Sequence, residues 1–458
     1  MRIGIPTAVI VASALACQTD SETNGRPHSQ QRDSAGIRIV ENARPPDGSR
    51  LGWRIGQEPE VSIGVLEGDD PYMLFAVRDA TILSDGRIVV VNTGTTELRV
   101  FDAEGTYLDT WGGEGEGPGE FTNVYHIEPL PDDTVIAWGR LDPRITVFDR
   151  AGNYVRRVLS DRSAAEPPMH LVGPLAATRD GLILAGQDPV WAEGSVVVEV
   201  WDAEGNLRGS LGTHEGLEPR TLVGNTNYTK IFGRTLQLKP WGGLIVIAPT
   251  DHYELKAFLP DGMLARIVRR DQVRRAPTDA HLQTYIDRWV DGISSDLVDL
   301  KAQTRRNLRL VPVAGHFPAF AAVISDALDH LWVREYEAPG EEVDGVLWTV
   351  FDTEGRVLGF VETPEELEIY EIGADYIVGK TEDEEFGVES VQVWRLERGC
   401  FSKRWPKRRP TLGPQPNPRD PVHMCEVPVG RHQIGPGLHG MGSDPYVIRG
   451  NGTALRAQ

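Results

Sequence analysis

Cysteine is almost absent from this sequence, whose 458 residues contain only Cys17, Cys400 and Cys425. The long interval between the first two contains none, which excludes a disulfide framework or a thiolate zinc site there. Spacing alone leaves open whether Cys400 and Cys425 form a disulfide.

Basic residues are also fewer than acidic ones: the sequence has 47 Lys and Arg and 67 Asp and Glu, which gives a net charge of −20. A chain of this sign lacks the basic footprint that nucleic-acid binding requires, so no nucleic-acid partner is predicted. The acidic excess is best explained by solubility.

Catalytic motifs are missing too. The sequence has no G-x-S-x-G and no H-E-x-x-H, and the glycine-rich residues 112–119 are not followed by the Lys-Ser/Thr of a phosphate-binding loop. We therefore predict no catalytic residue, no metal site and no cofactor.

One long apolar run is present, at residues 3–16 directly after Arg2. It is too short to span a bilayer as a mature helix, and it is typical of a signal peptide, residues 1–17. The run ends in Ala14-Leu15-Ala16-Cys17, which resembles a bacterial lipobox. That resemblance implies export and a lipid anchor at Cys17 in the cell envelope, on the outer membrane, with ordinary secretion as the alternative. A polar flexible tether, residues 18–32, follows.

The most informative feature is a repeated turn phrase. Phe101-Asp102-Ala103-Glu104-Gly105 recurs four times and, in a degraded form, a fifth time, with closing glycines at Gly152, Gly205, Gly262, Gly355 and Gly399. The intervals of 47, 53, 57, 93 and 44 residues indicate a copied supersecondary unit. Alternating strands flank each turn and an earlier turn precedes them, so each unit holds four strands, as a propeller blade does.

Six turns predict an all-β fold, a six-bladed β-propeller over residues 33–399. The 93-residue interval contains a helical insertion at about 277–310, where apolar residues change to helical spacing. The sixth blade lacks a fourth strand of its own. Residues 37–41 follow a copy of the repeated turn, and we expect them to complete that blade and close the ring.

The last 59 residues, 400–458, contain nine basic and three acidic residues, frequent proline and no apolar periodicity. This composition predicts a disordered basic tail. An origin unrelated to the fold, such as an altered reading frame, is an open alternative.

The first blade carries a family resemblance. Residues 89–102 and the glycine-rich residues 111–121 resemble the NHL-repeat consensus and its link between blades. From about residue 33 to 398 the chain resembles the bacterial six-bladed propeller lipoproteins. The resemblance implies a non-catalytic binding or scaffold module for a protein, peptide or glycan, with its membrane contact through the lipid anchor. We expect a monomer.

Two other functions stay open. One is an enzyme resembling the lactonases, arylesterases or peptidyl-amidoglycolate lyases, a resemblance that implies calcium or zinc at the central channel. The other is a structural assembly factor of the envelope. Fold alone does not decide among these functions.

The usual binding site of a propeller is the mouth of its central channel, where the innermost strands begin. Aligning the units on their turns places six candidate binding residues there: Arg78, Asp79, Tyr125, His126, Arg234 and His316. Arg78, His126 and Arg234 are candidates for an anionic ligand, because guanidinium groups pair with carboxylates and phosphates. The alternative is a structural role in which they pair with acids such as Asp79 or Glu128. Acids are otherwise sparse at these positions, so the metal-ligand set of an enzyme looks incomplete.

Lipidation of Cys17 can be tested directly. Cells supplied with a labelled fatty acid should incorporate the label into the wild-type chain and not into Cys17→Ala, because the Cys17 thiol is the predicted acylation site. Cys400→Ala is the matched control and should keep the label. Label that persists in Cys17→Ala, or that never enters the wild type, contradicts the prediction.

Overall fold

The computed structural model describes residues 29–399, except for 131–132, 141, 143, 160–171, 190–191, 342–344 and 384. The signal peptide with Cys17, residues 18–28 of the predicted tether, and the basic tail with Cys400 and Cys425 lie outside the described residues. No helix within the described ranges has the length and hydropathy needed to cross a membrane.

Six antiparallel sheets form the blades of a propeller, which confirms the predicted fold. The first strands of most neighbouring blades lie against one another around the ring, and the first strand of blade 3 contacts the third strand of blade 2. The strands of blades 1 to 3 are Val77–Ile82, Ile88–Asn92, Glu97–Phe101 and Tyr107–Gly112; His126–Pro129, Val135–Trp138, Arg144–Phe148 and Tyr154–Leu159; and Val172–Ala177, Ile183–Gln187, Ser195–Trp201 and Leu207–Glu215. The strands of blades 4 to 6 are Leu236–Trp241, Leu244–Pro249, Glu254–Phe258 and Leu264–Arg270; Phe320–Ser325, Leu331–Glu335, Val346–Phe351 and Val357–Thr363; and Glu368–Ile372, Tyr376–Glu382 and Glu389–Glu397.

The repeated turn phrase has a local physical basis. The Asp102 carboxylate accepts hydrogen bonds from the backbone N–H groups of Glu104 and Thr106. Gly105 takes a φ of 85°, a left-handed conformation that costs glycine little. The same Asp and Gly geometry recurs at blades 2, 3 and 5, so the phrase specifies the turn between the third and fourth strands.

Blade packing explains why the second strand of blade 1 is apolar without alternation. Ile88 and Val90 pack against blade 6, whereas Val89 and Val91 pack against blade 2. Both faces of the sheet are therefore buried between neighbouring blades, and a strand buried on both faces is apolar throughout.

Closure of the ring differs from the prediction. Residues 37–41 lie in the strand Ile37–Asn42, which pairs in parallel with the fourth strand of blade 4 rather than with blade 6. The missing strand of blade 6 is Val61–Ile63, which pairs with residues 391–393, and Arg54–Ile55 pairs with the end of the same strand. The N-terminal region does complete the last blade, but with a later segment than expected.

Two further differences concern the ends of the fold. Residues 29–32, predicted as tether, belong to the strand Ser29–Ser34, which forms a hairpin with Ile37–Asn42. The degraded sixth turn is not a turn, because Trp394 to Glu397 continue the last strand of blade 6. The chain pairs there with Arg54–Ile55 instead of reversing.

The two faces of the ring differ in what they carry. Neighbouring strands are antiparallel, so the short turns within each blade lie on one face, the lower face. The loops that follow the second and fourth strands lie on the opposite, upper face. Both long insertions, residues 216–235 and residues 271–319, follow fourth strands and therefore lie on the upper face.

These two insertions pack together into a structure that we term the cap. The first contains a hairpin of Thr221–Val223 and Thr226–Tyr228, and the second contains helices α1, Asp279–Asp291, and α2, Val298–Leu308. Both helices lie within the predicted insertion. Buried apolar residues from both segments form one cluster: Val223, Ile231, Phe232, Ile286, Val290, Leu308, Val311 and Phe317, with Ala338 of blade 5.

Asn42 fastens the extra N-terminal strand to the ring. Its side chain is 3 % exposed; it donates to the carbonyls of Gly355 and Arg269 and accepts from the N–H of Val357. Asn42→Ala should lower the free energy of unfolding by about 2 kcal/mol, because buried backbone groups would lose their partners.

Urea unfolding measures this change. Asn227→Ala, at an exposed position in the second strand of the cap hairpin, is the matched control and should change stability by less than about 0.5 kcal/mol. Equal effects of the two substitutions would contradict the fastening role of Asn42.

Candidate functional site

Four charged side chains are buried along the innermost strands: Glu371 of blade 6, at 3 % exposed, and three that lie in blades 1, 2 and 4. Asp79 of blade 1, Glu128 of blade 2 and Lys239 of blade 4 are 4 %, 2 % and 2 % exposed. The electrostatic influence of both carboxylates reaches the Lys239 ammonium, so residues from three blades form one charged cluster in the centre of the ring. Asp79 and Glu128 were identified from the sequence, whereas Lys239 was missed.

The protonation of Lys239 is finely balanced. Burial lowers the pKa of Lys239 to about 7, although the carboxylates of Asp79 and Glu128 act in the opposite direction. A lysine of this pKa changes its charge near neutral pH, whereas an exposed lysine does so near 10.4.

Four of the six predicted residues come together next to this cluster. The guanidinium carbon of Arg78 lies 5.6 Å from the centre of the Tyr125 ring, within the range of a cation–π contact. Nδ1 of His126 lies 3.5 Å from Oδ2 of Asp79, which also accepts the N–H of Ile127 at 3.2 Å. These contacts tie the starts of the innermost strands of blades 1 and 2 to each other.

The other two predicted residues, Arg234 and His316, line a separate cleft in the upper face. The cleft has a volume of about 200 Å³ and lies where the innermost strands of blades 4 and 5 begin, under the cap. Neither Arg78 nor His126 is among its lining residues. The three cations expected at one anion site thus belong to two places, because the insertions of the cap enclose only the part of the mouth at blades 4 and 5.

Cations outnumber carboxylates in the lining of this cleft. Lys230 pairs with Glu218 at 2.9 Å, and His252 lies 3.0 Å from its neighbour Asp251. Arg234 pairs at 2.9 Å with Glu215, whose side chain is 69 % exposed. The lining holds three basic side chains and two acidic ones, and the carboxylate of Glu215 beside it pairs with Arg234, so basic and acidic groups balance there.

Two lining side chains have no partner within the described ranges. Arg274 and His316 make no hydrogen bond and no ion pair there, and Arg274 is exposed. Arg234 also donates through Nε to the carbonyl of Gly216 at 3.0 Å, which fixes the guanidinium beside the cleft. Phe232 and Phe317, with ring centres 5.0 Å apart, give the cleft an apolar wall.

The residues needed for a metal-dependent propeller enzyme do not fit. Within the described ranges, no group of three or more His, Cys, Asp or Glu side chains is arranged to hold a metal ion. The two central carboxylates share their environment with Lys239, whose ammonium competes with a cation for the same negative charge. We therefore derive no chemical step through calcium or zinc.

Comparisons with known proteins agree on the fold. Residues 66–129 match the DUF5128 family, which is described as a 6-bladed beta-propeller. No curated protein matches the sequence.

Solved structures with a similar arrangement include proteins from three bacteria. A Bacteroides fragilis protein designated as exported covers 79 % of this chain and 100 % of its own, with 10 % identity and a TM-score of 0.46. A DUF4221 family member from Bacteroides vulgatus covers 76 % and 99 %, with 10 % identity and a TM-score of 0.46. Virginiamycin B lyase of Staphylococcus aureus covers 75 % and 99 %, with 9 % identity and a TM-score of 0.36. At such low identity and TM-score these matches carry no argument about the activity of this chain.

The lowered pKa of the buried Lys239 should be detectable in how the free energy of unfolding changes with pH. Its pKa falls from 10.5 to about 7 on folding, so between these values the unfolded chain binds more protons than the folded protein. The free energy of unfolding of the wild type, relative to that of Lys239→Met, should therefore rise as pH increases from about 7 to about 10. It should be level below that range, where the lysine is protonated in both states.

Urea unfolding at several pH values provides the measurement. Lys256→Met, which removes a lysine whose side chain is 44 % exposed, is the matched control and should follow the wild type. Parallel curves for the wild type and Lys239→Met would contradict a lowered pKa at this site.

Proposed function

We propose that the protein is an exported binding propeller, held at the cell envelope by an acylated Cys17, that takes an anionic protein, peptide or glycan in its upper-face cleft. The binding is non-catalytic. The observation that carries the proposal is the pair of cleft side chains without partners in the described ranges, Arg274 and His316, beside the fixed guanidinium of Arg234.

The chemistry of the cleft supports an anionic ligand. Guanidinium groups bind carboxylates through two parallel hydrogen bonds, and such charge-assisted bonds are stronger than neutral ones. Arg234 shares its charge with an exposed carboxylate, Glu215, which a ligand carboxylate can replace at low cost in desolvation. Lys230 lies in the same lining and is paired with Glu218 at 2.9 Å.

The size and walls of the cleft limit the ligand further. About 200 Å³ is smaller than the pockets that enclose a whole drug-sized molecule, so the cleft suits one or two residues of a longer chain. The apolar wall of Phe232 and Phe317 favours a ligand that carries an apolar or ring surface next to its acid. An acidic peptide segment and a uronic-acid-type glycan both have this character.

Removing the two arginines should weaken binding. Arg234→Ala combined with Arg274→Ala should reduce the affinity for immobilised poly-L-glutamate or polygalacturonate by about tenfold or more, because charge-assisted hydrogen bonds contribute about 1.5–3 kcal/mol each. Biolayer interferometry at fixed ionic strength measures the change, and thermal unfolding confirms that the variant is folded.

The matched control removes two arginines elsewhere. Arg208 and Arg356 are 62 % and 53 % exposed and pair with the aspartates of lower-face turns, so Arg208→Ala with Arg356→Ala changes the net charge equally. The proposal is wrong if both double variants lose affinity alike, or if neither anionic probe binds the wild type. A tightly bound metal ion in the purified protein would favour the enzyme alternative instead.

A further inference from the structure

Exposed apolar side chains cluster at the two ends of helix α2. Leu297, Val298 and Leu300 are 45 %, 67 % and 46 % exposed around its first turn, and Leu310, just beyond its last turn, is 69 % exposed. Thr304 and Leu308 are buried in the cap, and Leu300, which lies four and eight residues before them on the same side of the helix, is still 46 % exposed in the first turn. Such a set of apolar side chains on a surface indicates a contact with another molecule or a membrane.

Positive charge accompanies these apolar residues. Lys301, Arg306 and Arg309 lie on or directly after α2 and form no ion pair within the described ranges, whereas Arg305 pairs with Asp287. Asp296 and Asp299 offset part of this charge, so the segment from 296 to 310 carries +2 in a chain of −20. Exposed leucine and valine together with lysine and arginine are typical of helices that lie at the surface of an anionic bilayer.

The tether reaches the fold on the same face. Ser29, the first described residue, pairs with Asn42, whose carbonyl accepts the N–H of Asp271 at 2.9 Å. Asp271 is the first residue of the insertion that carries α2. Ser29 therefore lies beside the cap, on the upper face.

The length of the tether sets how far a membrane anchor lies from the cap. Twelve residue steps separate Cys17 from Ser29, which span at most about 40 Å when fully extended. The last described strand, Glu389–Glu397, runs instead to the lower face, so the described chain ends on the side away from Ser29. A bilayer that holds Cys17 is thus within reach of α2.

From these observations we propose that α2 docks on an anionic lipid bilayer through its exposed surface. This surface is formed by Leu297, Val298, Leu300, Leu310 and the cations Lys301, Arg306 and Arg309. The leucine and valine side chains enter the boundary between headgroups and acyl chains, and the cations lie among the headgroup phosphates. The cleft then faces the space next to the membrane. The inference uses the proposed anchor only to locate the bilayer, and its test leaves the anchor out.

Co-sedimentation with vesicles tests the docking. The chain from Gln18 onwards keeps every described strand and lacks both Cys17 and the apolar run, which would itself enter lipid. It should bind vesicles of phosphatidylethanolamine and phosphatidylglycerol, and bind phosphatidylcholine vesicles much more weakly.

Val298→Asp with Leu300→Asp should reduce the partition coefficient by about tenfold or more, because two apolar contacts are lost and negative charge is added. Lys301→Glu with Arg306→Glu should act in the same direction and remove most of the dependence on salt.

The matched control places the same charges on the lower face. Met263 and Leu328 are 59 % and 44 % exposed, close to the values for Val298 and Leu300, and Met263→Asp with Leu328→Asp should leave vesicle binding unchanged. Docking through α2 is contradicted if the wild-type chain does not bind the anionic vesicles. It is also contradicted if the control variant loses binding equally, or if the α2 variants bind like the wild type, as they would if the basic tail or a protein partner were responsible. None of these outcomes bears on acylation of Cys17 or on the cleft, which have separate assays.

Discussion

The short pairing of Val61–Ile63 with residues 391–393 is the contact on which the rest of the molecule depends, because it converts an open row of blades into a ring. Without it, the last strand of blade 6 would expose an unpaired edge. Side chains then seal the junction between blade 6 and blade 1. Glu389 accepts the N–H of Val77 at 2.7 Å, Glu371 accepts the N–H of Ile82 at 3.1 Å, and the Tyr370 hydroxyl donates to the carbonyl of Val77 at 3.2 Å. The central cluster exists only because this junction holds the innermost strand of blade 1 in its place.

Local turn chemistry made the blades predictable, and the lack of such chemistry made the closure unpredictable. Asp102 and Gly105 specify their turn through contacts within five residues, so copies of the phrase reveal the number of units. Residues 37–41 and residues 61–63 both alternate as outer strands do, and period 2 does not say which sheet a strand joins. What directs Ile37–Asn42 to blade 4 is the buried Asn42, whose partners lie more than two hundred residues away. A single sequence contains no trace of such a distant contact.

The candidate sites show the same difference between features set by local sequence and features set by distant contacts. Arg78, Asp79, Tyr125 and His126, together with Glu128, could be found because they lie near the start of an innermost strand, at a place marked by the repeated turn. Lys239 occupies such a place too, and a charged residue within the apolar Leu236–Trp241 was the signal that could have revealed it. The cleft was beyond this reasoning, since it forms only where residues 216–235 and residues 271–319 pack together, and nothing in the repeat predicts that two insertions share one core.

The buried charges in the centre argue for a role other than stability. A well-packed apolar group usually serves a core at least as well as a buried ion pair, because the desolvation of each ion offsets its attraction to the other. The innermost strand of blade 5, in contrast, buries apolar residues such as Val323 and Ile324. The lower face carries short turns stabilised by aspartate, whereas the upper face carries the cleft, the cap and the start of the tether. A ring with its variable parts on one face supports the proposed recognition from that face.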